Sequence, residues 1–157
     1  MPSAHGSVEI AASPERVRDV LVDFARYPEF IPDMARATML RAGPSDWTVQ
    51  FRVSVVRPID YTLRLWLEPP TAAGAIALRW SLVEGPVFRA NDGSWTLTRT
   101  ATGTLATYDL SVELALFMPR SLLRLLTGKS LPRMLDAVRD RVQRADRDNS
   151  GQAPGTG

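Results

Sequence analysis

Three features of the sequence predict an α+β fold in which one antiparallel sheet curves around a single long C-terminal helix. A helix signal stands near the start of the chain, about six apolar stripes of period two fill its middle, and an amphipathic helical repeat closes it. A sheet with one apolar face has to cover that face. One helix, about 10–12 Å across, is much narrower than a row of strands spaced about 4.8 Å apart. The sheet therefore has to wrap the helix, and an apolar cavity is expected where the wrap leaves a gap. A core filled throughout by the same side chains is the alternative.

The elements follow in order. Val8 and Ile10 alternate with Ser7 and Glu9, so Ser7 to Ala11 reads as a first strand, preceded by a flexible arm of residues 1–6. Ser13-Pro14-Glu15 starts a helix, with Ser13 as the cap, Pro14 in the first position and Glu15 near the positive end of the dipole. Val17, Val20, Leu21 and Phe24 form its buried stripe. Pro28 disfavours helical geometry at Tyr27, so the helix is expected to stop near Arg26 and leave Tyr27 to Pro32 as a stiff connector.

The period then changes to two. Ala37 to Arg41 is a strand ended by Gly43-Pro44. Trp47, Val49, Phe51, Val53 and Val55 share one face, and after Pro58 the face continues through Tyr61, Leu63, Leu65 and Leu67. Ile76, Leu78, Trp80 and Leu82 form the next stripe, ended by Gly85-Pro86. Asn91-Asp92-Gly93 is a turn signal ahead of a strand from Trp95 to Arg99. A turn at Ala101 to Gly103 leads into Tyr108, Leu110, Val112, Leu114 and Leu116, completing an antiparallel meander. Pro119 opens a helical segment from about Arg120, with Leu122, Leu123 and Leu126 on one side and a break at Gly128. Leu131, Met134, Leu135, Val138 and Val142 resume the helical spacing. Residues 146–157 turn polar and glycine-rich and are expected to be a disordered tail, leaving one domain over residues 7–145.

The 157 residues fit a single domain, and 45% hydrophobic with 23% charged residues is an ordinary globular composition. The absence of cysteine excludes disulfides, thiolate nucleophiles and cysteine-ligated zinc. A formal net charge of +2 does not supply a nucleic-acid stripe, so no DNA partner is expected. No apolar run approaches the roughly 18 residues of a membrane span. The first residues lack the charged and apolar regions of a signal peptide, so a cytoplasmic location is the expectation. His5, the only histidine, precedes the first strand and is expected to be exposed, which leaves no histidine for acid–base or metal chemistry. No phosphate loop, nucleophile elbow or paired-carboxylate constellation is present, and no catalytic residue, cofactor or metal is assigned.

The inward stripes bring Phe51, Val53, Tyr61, Leu63, Leu65, Trp80, Trp95, Tyr108, Leu110 and Val112 to the cavity from the sheet. Leu123, Leu126, Met134, Leu135 and Val138 reach it from the helix. A ligand pocket combines an apolar lining with a few polar groups that orient a carbonyl or hydroxyl. Tyr61, Tyr108, Arg99 and the indole N–H groups of Trp47, Trp80 and Trp95 are the groups available. Arg99, if inward, needs a carboxylate or an anionic ligand. Otherwise it reaches water near the end of its strand. Arg64 and Trp66 share the opposite face with Arg52, a pattern suited to cation–π packing on the outer surface.

Asp23 and Tyr27-Pro28-Glu29-Phe30-Ile31-Pro32 resemble the signature of the coenzyme Q-binding and polyketide cyclase/dehydrase branch of the START-like (SRPBCC) superfamily, an Asp followed by Tyr-Pro-x-Phe-x-Pro. Gly85-Pro86 and Gly93-Ser94-Trp95-Thr96-Leu97 are similar to that family's Gly-Pro-Phe and Gly-x-Trp-x-Phe segments, with Val87 inserted before Phe88 and Leu97 in place of the second aromatic. Phe117 to Leu123 resembles the start of its last helix, and the resemblance covers about residues 7–144. It implies a helix-grip fold with Tyr27 and Phe30 closing one end of a pocket. It further implies binding or transport of a hydrophobic small molecule: a lipid, an isoprenoid quinone or a polyketide-like compound. A polyketide aromatase/cyclase, with Tyr61, Tyr108 or Arg99 polarising a carbonyl, is the first alternative. A ribosome-associated or other protein-interaction module, known among members of the same branch, is the second, and the weak net charge speaks against it. The apolar, basic stretch from Met118 to Leu126 suits transient contact with a membrane surface.

Overall fold

The computed structural model describes residues 3–54, 57–115 and 131–151. β1 (Ser3–Ile10) precedes α1 (Pro14–Leu21) and a 3-10 helix (Phe24–Glu29). Then follow β2 (Met34–Ala42), β3 (Asp46–Ser54), β4 (Pro58–Leu67), β5 (Ile76–Glu84), β6 (Phe88–Thr100) and β7 (Gly103–Leu114). A helix over Leu131–Gly151, here α2, closes the described chain. The strands form one antiparallel sheet in the order β1-β7-β6-β5-β4-β3-β2. This is the expected α+β meander with its covering helix. Val55, Leu116, the helical segment from Arg120 with Leu122, Leu123 and Leu126, the break at Gly128 and the chain beyond Gly151 lie outside the described residues.

Local chemistry explains the first elements. The Ser13 hydroxyl accepts the Arg16 N–H at 3.3 Å, and Pro14 sits where its missing N–H is not needed. α1 stops at Leu21, earlier than expected, and the chain tightens into the short 3-10 helix that contains Pro28. A proline has no N–H for an α-helical ladder, whereas a single tight turn does not require one. The change of pitch swings Phe24 fully into the core, edge-on to Tyr27 at 5.5 Å and to Trp47 at 5.4 Å.

The core lies between the sheet and the two α-helices, with Val17 and Leu21 from α1, Val49, Phe51, Leu78 and Leu97 from the sheet, and Leu135, Val138 and Val142 from α2. Two polar ties lock the layers together. The Thr104 hydroxyl donates to the Ala12 carbonyl at 2.7 Å, and the Ala11 N–H donates to Gln143 Oε1 at 3.0 Å. Among the described residues no helix is long and apolar enough to cross a membrane.

Four expectations change. Residues from Ser3 onward are not a free arm, because they pair with β7 from Ser3↔Ser111 to Gly6↔Tyr108. Gly6 makes this possible: a Cβ there would lie 2.9 Å from Leu131 Cδ2, so the bare backbone lets α2 rest on β1. His5 is exposed as expected, yet its ring pairs with the Asp109 carboxylate opposite it. Asn91-Asp92-Gly93 is not a turn, since β6 runs through it without a break. Its glycine serves packing, because the Trp80 side chain crosses it and a Cβ would lie 2.2 Å from Trp80 Cζ2. The helix α2 continues past Asp146 to Gly151, as polar composition alone does not stop a helix. On the outer face Arg64 lies over Trp66 at 5.2 Å, but Arg52 instead forms two hydrogen bonds to Asp60 at 2.7 and 3.0 Å, its partner in register on β4.

Gly93→Ala is expected to lower stability by about 1–3 kcal/mol through overpacking against Trp80 and against the Asp109 carbonyl, 2.7 Å from the added Cβ. Urea unfolding should show a reduced midpoint, and the cost should shrink when Trp80→Ala is combined with it.

Candidate functional site

A cavity of about 190 Å³ lies between the inner face of the sheet and the first turns of α2. Leu131, Met134 and Val138 form its helical side. Across from them stand Phe51 and Val53 of β3, Tyr61, Leu63 and Leu65 of β4, Leu78 and Trp80 of β5, Asn91 and Trp95 of β6, and Tyr108 and Leu110 of β7, with Ala4 of β1 beside them. Leu21, Tyr27, Ile31, Pro32 and Met34 complete the described lining. Asp33 supplies the bend between them in a left-handed conformation (φ 63°), which Asp tolerates better than most residues, and its carbonyl accepts the Ser54 N–H at 2.9 Å.

Most of the expected lining is therefore brought together, and four residues are not. Phe30 packs edge-on to Tyr27 at 5.7 Å but turns away from the cavity, where the Arg141 guanidinium covers it at 5.2 Å. Val112 and Leu135 are buried in the solid core beside the cavity. Arg99 shares the inward parity of Trp95 and Leu97, yet it stands at the strand end and reaches α1, where it donates to both Glu15 carboxylate oxygens at 3.0 Å. That ion pair is mostly exposed and leaves no cation in the cavity wall from this strand. Leu123 and Leu126 lie outside the described residues.

The polar residue that sequence reasoning missed is Asn91. It looks like part of a turn, but its parity with Gly93 and Trp95 puts it on the inner face once β6 is extended backwards. Trp80 Nε1 donates to Asn91 Oδ1 at 3.2 Å in a buried contact. Around this pair the wall is aromatic: Tyr108 lies 5.6 Å from Trp80 and 5.0 Å from Trp95, while Tyr27, Phe51 and Tyr61 form a second row at 5.7–5.8 Å, backed by Phe88 behind Tyr61 at 5.5 Å. Among the described lining residues there is no Asp, Glu, Lys, Arg or His. Among the described residues no cluster of acids and histidine is spaced to hold a metal ion.

A family model described as polyketide cyclase / dehydrase and lipid transport matches residues 10–139. The chain belongs to this family. Among curated proteins none matches it in sequence. Solved structures with the same fold include a STAR-related lipid transfer protein from Xanthomonas axonopodis, 23% identical with a TM-score of 0.76 over 88% of this chain and 84% of that one. Others are the Zhui aromatase/cyclase from a Streptomyces species, 22% identical with a TM-score of 0.74 over 90% and 93%, and a START superfamily protein from Mycobacterium smegmatis, 22% identical with a TM-score of 0.73 over 92% and 99%. At these identities the likeness is one of fold.

All three tyrosines of the chain line this one cavity. The Tyr27 hydroxyl donates to the Leu21 carbonyl. Burial pushes each phenol well above the ordinary value of 10.0, and Tyr27 and Tyr108 are pushed further by neighbouring tyrosine hydroxyls, with Asp23 adding to the effect at Tyr27. At neutral pH the three are uncharged hydrogen-bonding groups.

A pH dependence follows with a definite sign. The unfolded chain loses these protons near pH 10 while the folded chain keeps them, so stability is full below that pH and falls above it, by up to about 1.4 kcal/mol per pH unit for each phenol. In an alkaline titration, phenolate absorbance should rise together with loss of the native circular dichroism rather than before it.

Proposed function

We propose that this chain binds and carries a hydrophobic small molecule of the lipid, isoprenoid quinone or polyketide-like kind in its internal cavity. The observation that supports this most directly is the cavity of about 190 Å³ with its aromatic and aliphatic wall. Protein interiors leave few voids larger than a water molecule, so an apolar gap of this size is an exception within a packed core. An apolar engineered cavity of roughly 150 Å³ takes up benzene. Membership of a family described by both cyclase and lipid-transport activities supports the same reading.

An aromatase/cyclase is the second reading, favoured by the Tyr61 and Tyr108 hydroxyls on the cavity wall, which have no hydrogen-bond partner among the described residues. They suit polarisation of a ligand carbonyl. Proton transfer is another matter, because a general acid works best with a pKa near the working pH, and burial moves both phenols the other way. Binding is therefore the reading that asks least of the residues present.

Delipidated protein should gain thermal stability with a panel of quinones, acyl lipids and polyketide-like ring compounds, by about 2.7 kcal/mol at a hundredfold excess over Kd. Native mass spectrometry of protein purified from its own host should show retained mass. Leu110→Trp, which fills the cavity, should abolish the thermal shift while keeping the native circular dichroism. An unshifted Tm with every compound, together with a bare native mass, would overturn the proposal.

A further inference from the structure

We infer that Asn91 reads the ligand's polar group, donating a hydrogen bond from its side-chain amide to a neutral acceptor oxygen such as a conjugated ring carbonyl. This assignment rests on the cavity being a binding site.

Three observations carry it. Asn91 is 5% exposed and lines the cavity, so its amide is almost wholly removed from bulk water. The indole N–H of Trp80 can only donate, so the Asn91 atom that meets it at 3.2 Å must be the oxygen, which fixes the orientation of the amide. The remaining NH₂ group has no partner among the described residues. No enclosed side-chain nitrogen or oxygen described is left without a partner, and Asn91 has no hydrogen bond besides that to Trp80 among the described residues, so its NH₂ keeps open surface on a residue that lines the cavity.

Trp80 is itself held in place. It lies across Gly93, where no side chain fits, and against the Tyr108 ring at 5.6 Å. The glycine makes room, the indole orients, and the amide presents a donor. Asn91 is the reading group and Trp80 a positioning residue.

The chemistry of the ligand follows. A donor selects an acceptor, and a hydrocarbon would leave the amide unpaired. A carboxylate would find no countercharge among the described lining residues, which favours an uncharged oxygen. Trp80, Trp95 and Tyr108 beside the amide suit a flat conjugated ring attached to that oxygen.

The test uses a matched pair of probes, the ketone α-tetralone and its hydrocarbon counterpart tetralin, binding to the full chain. The wild type should bind the ketone about tenfold more tightly, the worth of one buried hydrogen bond, and the infrared carbonyl band of the bound ketone should move to lower frequency. Asn91→Leu should bind tetralin as the wild type does while losing both the preference and the band shift. Trp80→Phe keeps the ring but removes the N–H that holds the amide, and should reduce the preference several-fold with Asn91 still present. Equal affinities for the two probes in the wild type, or a preference and band shift that survive in Asn91→Leu, would sink the assignment. If Asn91→Leu does not fold, an undiminished preference in Trp80→Phe does the same. Tetralin binding without any ketone gain removes the Asn91 assignment alone, binding of neither probe also removes that assignment, and only binding of neither together with an unshifted Tm across the wider panel and a bare native mass removes the cavity reading as well.

Discussion

A seven-stranded sheet that, among the described elements, has one short and one long α-helix to cover it cannot be packed uniformly. Adjacent strands stand about 4.8 Å apart and a helix is about 10–12 Å wide, so one helix reaches only part of the face. Here α2 settles toward one side, against β1 and α1, with its leucines over the bare backbone of Gly6. Away from that contact Tyr27, Ile31, Pro32 and Met34 line the cavity. The faces of β3 to β7 supply most of the rest of the described wall. The cavity thus follows from where the covering elements can reach, and the size of the aromatic side chains decides how much of it remains.

The distribution of polarity is governed by the same arrangement. Charged groups are spent at the periphery: Arg99 on Glu15, Arg52 on Asp60 and Arg141 on Glu29. Among the described lining residues the polar groups are three phenols, indole rings and one carboxamide. These groups hydrogen-bond without carrying charge, so they can be buried at modest cost, and they discriminate by donor and acceptor direction rather than by field strength.

The fold was legible because its signals are local. Period-two stripes such as Trp47 to Val53 report burial directly, and Ser13-Pro14 announces a helix start through the backbone groups that it caps or spares. Parity along those stripes also found the greater part of the cavity wall. The failures have a common cause, which is that the deciding partner is distant in sequence. Gly93 looks like turn chemistry until Trp80 on the neighbouring strand is known to lie across it. Arg99 has inward parity, and only the position of Glu15 on α1 draws it aside. Gly6 sits in a polar stretch that suggests a loose end, and its role depends on Leu131. Asn91 was hidden by the same error as Gly93, because the two belong to one misread tripeptide.

The pairing of β1 with β7 has a further consequence, for the order in which the molecule can be completed. Ser3 meets Ser111, and Gly6 lies beneath Leu131, so the beginning of the chain waits for partners made long after it. Contacts this far apart in sequence make for slow folding. During synthesis the apolar face of the growing sheet stays open until α2 has emerged, and an exposed face of that kind is a hazard for aggregation. That interval ends only when β1 and α2 meet at Gly6, so two elements far apart in sequence together set the moment at which the inner face leaves solvent.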